Sequence, residues 1–309
     1  MSEFKLIFII ICFIIDIITY IIICKNKREI YSKSKKNEGI GKEFLNVEEF
    51  DSEILFPIQK TLKDYIEITD DEQKFLNGII RKIKPSKIVE IGVAFGGTAA
   101  LILNAIKDFE DAKLYSIDIN KNCYKLHSKK TGFIVNEKFP HLADKWALFT
   151  GRLTSEFIEK IGNNIDLVYI DTVHVTPGEM LNWLEILPFL KEESYVVLHD
   201  TFFMYIRDRV IKKIINYSNN QILCYIRGEL ILPSYKQNMF SRNIGAIKLS
   251  KNQEKYYMQY FLALGTQWQY LPSERELKVL KTFFKKYYGK KYENIFNDAI
   301  EKNKIRFVK

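Results

Sequence analysis

The stretch "VEIGVAFGGTAAL" (89–101) joins a strand-like apolar run to a helix-like one through three glycines. Gly92, Gly96 and Gly97 let the chain turn tightly and let its backbone approach a ligand closely. In open sheets of parallel strands, ligands bind outside the carboxyl ends of the strands, so a nucleotide-like group is expected at this turn. The spacing is G-x-x-x-G-G, with Ala94 where a dinucleotide-binding loop needs a second glycine to admit a pyrophosphate. That counts against NAD and FAD. Glu90, two residues before Gly92, suits instead a ligand bearing a positive charge or an amino group.

Outward from this turn, short apolar runs alternate with amphipathic ones. Strands are expected at "KIVEIGV" (87–93), "KLYSIDI" (113–119), "WALFTG" (146–151), "DLVYID" (166–171), "YVVLHD" (195–200), "QILCYI" (221–226) and "NIGAIKL" (243–249). Helices are expected over 98–109, 155–162, 177–190 and 203–217. A further helix over 68–85 starts at Thr69 or Asp70 and ends at Pro85. The tail, 251–309, reads as helical, with a Ser-x-x-Glu capping box at Ser273. The stretch 227–243 reads as a polar loop. The alternation predicts an α/β fold with a doubly wound, mostly parallel seven-stranded sheet.

The chain has four histidines, and two lie at strand exits beside acids. "IDLVYIDTVHV" (165–175) ends its apolar run on Asp171 and places His174 three residues later; "YVVLHDT" (195–201) ends on His199 and Asp200. All four fall on the rim that holds the glycine turn, which makes them candidates for a site. His127 and His141 have no such company and read as structural, while Glu179 suits the N-terminus of the helix that follows it.

"EIGVAFGG" resembles the first motif of class I S-adenosylmethionine-dependent methyltransferases, E-x-G-x-x-x-G. "IDTVH…LHD" resembles the subgroup of sugar O-methyltransferases and cephalosporin-hydroxylase-like proteins, and the likeness spans 85–250. The resemblance implies a Rossmann-like methyltransferase fold with S-adenosylmethionine as cofactor. Glu90, Gly92, Gly96 and Gly97 would line the cofactor, Asp118 would accept from the ribose hydroxyls, and Ser155 would lie near the adenine. It also implies a divalent cation, commonly Mg²⁺, at Asp171 and Asp200, with His199 as a third ligand that shifts preference toward Mn²⁺. His174 is the expected general base. Thr172 stands where the subgroup has glycine, and Val173 where many members have a polar or acidic residue. The expected reaction is methyl transfer to a sugar or glycan hydroxyl on a small or lipid-linked acceptor. The alternatives are a metal-independent enzyme with a histidine base, or a tethered non-catalytic cofactor-binding protein.

"FKLIFIIICFIIDIITYIIIC" (4–24) is long enough to cross a bilayer core. Its apolar residues outweigh Asp16, which opposes insertion by roughly 3 kcal/mol. The six basic residues of 25–36 then place the remainder on the cytoplasmic side of a single-pass protein. The expected organisation is an anchor over 1–24, a basic linker over 25–50, a methyltransferase domain over 51–250 and a helical extension over 251–309. The net charge of +9 is scattered, and neither zinc-finger spacing nor an RNA-binding aromatic signature is present, so nucleic acid is not an expected partner. None of the four cysteines forms a C-x-x-C pair, which excludes a thiolate metal motif of that kind. The composition is compatible with a homo-oligomer.

Overall fold

The computed structural model describes residues 42–200, 226–234 and 243–307. Five parallel strands, β1 (Lys87–Ile91), β2 (Lys113–Asp118), β3 (Trp146–Thr150), β4 (Ile165–Ile170) and β5 (Leu190–His199), are joined by β6 (Gly228–Ile231) and β7 (Ile244–Leu249). The order across the sheet is β3-β2-β1-β4-β5-β7-β6, with β7 antiparallel to both of its neighbours. Strands β1 and β4 are almost wholly buried, which is why their sequences read as continuous apolar runs rather than alternating ones.

Helices cover both faces. On one side lie α1 (Phe56–Leu62), α2 (Asp70–Ile83), α3 (Gly97–Ala105) and α4 (Phe133–Lys138). Phe44 and Val47, from the 3₁₀ turns before α1, are buried in the same core. On the other side lie α5 (Ile158–Ile161), α6 (Gly178–Ile186), α7 (Tyr257–Ala263), α8 (Glu274–Tyr288) and α9 (Lys290–Phe307). Phe261, Phe284, Tyr288 and Phe296 of the tail form one core cluster with Trp183 of α6 and Val196 of β5. The Tyr288 hydroxyl donates to the carbonyl of Leu184 at 2.6 Å. The tail is thus part of the layer over the sheet, and Gly41–Lys309 is one compact unit.

Local chemistry explains the helix starts. Thr69 caps α2 in a reciprocal box: its amide donates to Glu72 Oε2 at 2.7 Å, and the Glu72 amide donates to Thr69 Oγ1 at 3.3 Å. Ser273 and Glu276 repeat the arrangement at α8.

Three expectations are corrected. No helix among the described residues is long and apolar enough to cross a membrane. Even the longest, α9, carries Lys, Glu, Asn and Asp along its length. The expected anchor at 4–24 lies outside the described residues. The fold is therefore the sheet with its two helical layers, and the single-pass, cytoplasm-facing placement is withdrawn with the anchor. The sixth strand is Gly228–Ile231, inside the stretch expected as a loop, because β7 offers the backbone pairs Gly228–Leu249 and Leu230–Ile247. Of the expected strand 221–226, only Ile226 is described, and the expected helix 203–217 lies outside the described residues. The helix expected to run to 190 ends at Ile186, and a 3₁₀ turn with Pro188 leads into β5.

Candidate active site

The glycine turn leaves β1 with Gly92 at φ +93° and Gly96 at φ +92°. A Cβ at Gly92 would strike the carbonyl of Asp171, so glycine is what lets the first strand exit pass against the fourth. Asp118, at the end of β2, holds the turn from the side. Its Oδ2 accepts from the amides of Val93 at 3.0 Å and Ala94 at 3.2 Å, and its Oδ1 accepts from Asn120 at 2.8 Å. Glu90 is fully buried beneath the turn, and Ser116 Oγ donates to its Oε2 at 2.5 Å. Its Oε1 has no partner among the described residues. Burial pushes the Glu90 carboxyl up to about 8 against the pull of the Ser116 hydrogen bond, and Asp171 and Asp118 add to the rise.

Ser155 lies buried in the 3₁₀ turn after β3. Its amide donates at 2.9 Å to Glu185 of α6, a carboxyl that burial raises to about 7. Glu185 also takes the Asn182 amide at 3.4 Å, and Thr172 Oγ1 donates to Asn182 Oδ1 at 3.0 Å. The exits of β3 and β4 are thereby tied to one buried acid.

Asp171, His174, His199 and Asp200 converge where β4 and β5 end. Asp171, His174 and Asp200 present one ligand atom each, all within 4.8 Å of one another. His174 Nε2 lies 2.7 Å from Asp200 Oδ2 and 3.6 Å from Asp171 Oδ1, while Nδ1 lies 3.0 Å from Glu179 Oε1. His199 is more deeply set, with Nδ1 at 3.4 Å from Asp171 Oδ1 and 3.6 Å from Asp200 Oδ1. The Tyr169 hydroxyl donates to Asp171 Oδ2 at 3.0 Å, and Asn243, beside the start of β7, donates to Asp200 Oδ1.

The charges explain the electrostatics. Burial alone would lower His174, but hydrogen bonds and ion pairing with Asp200 and Glu179 outweigh it and raise the ring to about 10. Burial would raise Asp200, yet His174 and His199 hold it at about 2. Glu179, fully buried, rises to about 7 by desolvation despite its bond to His174. His199 is raised, its burial overcome chiefly by Asp171.

The residues expected at the cofactor lie in β1 and at the exits of β1, β2 and β3, and those expected at the metal and as base lie at the exits of β4 and β5. Glu179 does more than favour a helix N-terminus: it grips His174. Val173 is 45% exposed and Thr172 faces Asn182. His127 and His141 lie exposed, away from the cluster. Glu72, Glu185 and Asn243 belong to the constellation but carried no sequence signal, because each reaches it from another element.

Residues 89–201 match a family described as a methyltransferase domain. Over this segment the chain is a methyltransferase domain. The matched segment runs from β1 to just past Asp200, so the glycine turn, Glu90, Asp118, Asp171, His174, Glu179, Glu185, His199 and Asp200 fall within it. Glu72 and Asn243 come from outside it. Three solved structures are similar to the methyltransferase. The O-methyltransferase TomG from Streptomyces achromogenes shares 12% identity over 64% of this chain and 89% of its own, with a TM-score of 0.45. An O-methyltransferase from Bacillus cereus shares 14% over 67% and 98%, at 0.46. A putative caffeoyl-CoA O-methyltransferase from Staphylococcus aureus shares 15% over 73% and 99%, at 0.45. No curated protein matches the methyltransferase in sequence.

Proposed function

We propose that this methyltransferase acts on a hydroxyl oxygen of a small-molecule acceptor, with a divalent cation between Asp171 and Asp200, and that the acceptor is a sugar. The observation that carries the reading is the convergence of Asp171, His174 and Asp200 within 4.8 Å beside the glycine turn. Two carboxylates crowded on a half-buried rim, with His174 beside them, fit a hard or borderline divalent cation. The cofactor fits as well. Glu90 offers an unpartnered buried oxygen toward an ammonium group, and Asp118 keeps lone pairs for ribose hydroxyls after holding the turn.

When bound, S-adenosylmethionine supplies an electrophilic methyl on a sulfonium, and a cation supplies positive charge that lowers the pKa of a neighbouring hydroxyl. The protein's own residues do the rest. His174 Nε2 faces Asp171 and Asp200, which makes it the atom placed to take the acceptor's proton as the new carbon–oxygen bond forms. Glu179 fixes the ring by its other nitrogen and stabilises the imidazolium that results. Asp200 and Glu179 raise the His174 ring to about 10, and a cation held by Asp171 and Asp200 would favour the neutral ring that accepts a proton. A sugar hydroxyl is a weak acid and a poor nucleophile, the kind of acceptor that needs both a cation and a base.

A second reading keeps His174 as base and dispenses with the cation, favoured by the orientation that Glu179 gives the ring from its Nδ1 side. Methyl transfer from labelled S-adenosylmethionine to a panel of sugars separates the two. Exhaustive chelation is expected to abolish turnover, and Mg²⁺ or Mn²⁺ to restore it. Activity that survives chelation would overturn the metal-assisted reading.

A further inference from the structure

The two acids also rest on a second, more deeply buried imidazole. His199 is only 4% exposed and sits in the last position of β5, with its ring between Asp171 and Asp200 on one edge. The other edge faces α2. There His199 Nε2 lies 3.7 Å from Glu72 Oε2 and 3.5 Å from the Asn243 amide nitrogen. Glu72 is 3% exposed, and Oε2 is the oxygen that already accepts from the Thr69 amide and hydroxyl in the capping box. One buried carboxylate therefore serves both the start of a helix and the back of the site.

The geometry points to Glu72 and His199 as a buried pair that positions Asp171 and Asp200 for the cation. This rests on the metal-assisted reading above. A carboxylate behind an imidazole fixes the ring's orientation. With Nε2 turned to Glu72, Nδ1 is directed between Asp171 Oδ1 and Asp200 Oδ1, spanning the two acids. In this arrangement His199 acts through the carboxylates, while His174, on the more open side, is the imidazole that meets the acceptor. Asn243 secures Asp200 Oδ1 from β7, so each acid is braced from outside the cation's position: Asp171 by Tyr169 and His199, Asp200 by Asn243 and His199. Without the Glu72 charge that contact with α2 is lost, and the acids are expected to lose their common spacing while remaining chemically intact.

The capping box makes the idea separable from simple stability. Glu72→Gln keeps the side chain's shape and its capping competence but removes the charge facing His199. Thr69→Ala does the reverse, weakening the cap by about 1 kcal/mol and leaving the carboxylate in place. Mn²⁺ binding to the full chain is followed by electron paramagnetic resonance without acceptor or cofactor, alongside thermal melts. Glu72→Gln is expected to weaken Mn²⁺ binding by about 10- to 100-fold, the usual effect of losing such a partner, with little change in melting temperature. Thr69→Ala is expected to lower the melting temperature and keep Mn²⁺ affinity within about twofold. If the wild type binds Mn²⁺ and Glu72→Gln binds it equally well, the positioning role is overturned and the metal-assisted reading survives. If the wild type itself binds no Mn²⁺, both are overturned.

Discussion

Acids and bases gather at both ends of the same sheet, and the two gatherings are built differently. At the amino ends of the strands a shallow groove is lined by Ser86, Lys87, Lys113, Asp166 and Lys191, among others. There the acid Asp166 meets its complement. Asp166 Oδ2 accepts from the amides of Ser86 at 3.1 Å and Lys87 at 3.0 Å, and Lys191 Nζ lies 3.2 Å from Asp166 Oδ1. Lys87 Nζ donates to the Asn163 carbonyl at 2.8 Å. These contacts tie β1, β4 and β5 together in the open. At the carboxyl ends, Asp171, Asp200, Glu179 and Glu72 crowd around two imidazoles with most of their surface removed from water. Burying like charges face to face opposes folding. The lower groove looks as stability alone would build it; the upper rim makes sense as an arrangement held ready for a positively charged visitor.

The sharpest way to break this comparison is Asp171→Asn. Neutralising one acid on the upper rim is expected to lower kcat/KM by about 1,000-fold or more, since a cation's contribution is worth several kcal/mol. Stability is expected to hold or rise because like-charge crowding is relieved. Steady-state kinetics and urea melts on the same preparation check both signs. A loss of activity that merely tracks unfolding would put Asp171 with the structural acids below.

Glu185 supplies a smaller, pH-dependent effect. Its folded-state pKa is raised to about 7 by burial. The stability linked to its protonated form is therefore present below its unfolded value and is lost as pH rises through 7. Glu185→Gln, which does not ionise, should be more stable than the wild type at pH 8 by at most on the order of 3 kcal/mol. The gap should close toward pH 4.5, as read by denaturant unfolding at the two pH values. A constant difference across that window would remove burial as the cause.

The smallest effects belong to the lower groove. Asp166→Ala removes a double backbone contact and is expected to cost about 1–2 kcal/mol of stability with kcat unchanged. Lys191→Ala, whose side chain is 61% exposed, should shift unfolding by less than about 1 kcal/mol. Urea titration and turnover assays on both variants test whether this end of the sheet is purely structural.

The sheet and most of the site were legible because their signals are local. A glycine that must turn under a neighbouring strand, an acid closing β2, and acid–histidine pairs closing β4 and β5 each sit within a few residues of one another. What escaped was long-range. Glu72 looks like an ordinary capping residue, and only the folded chain brings it to His199, well over a hundred residues away in sequence. Glu185 reads as one turn of an amphipathic helix, although it lies buried against the β3 exit. β6 was misread because GELI (228–231) is short and half polar, as an edge strand tends to be, and its pairing comes from β7. The apolar run at 4–24 carried a composition signal that the described helices do not share.

The cross-strand meeting of Asp200 and Asn243 has a consequence for how such an enzyme changes its tastes. His199 pairs with Ile244 in the β5–β7 ladder, and the next residues outward, Asp200 and Asn243, are hydrogen-bonded to each other. Within the intervening chain, Gly228–Ile231 is fastened to the sheet again along β7. Closing a loop that already has its ends together depends only weakly on length, roughly 0.6 kcal/mol for each doubling. Changes of length on either side of Gly228–Ile231 are therefore expected to leave the acids, the histidines and the glycine turn in place.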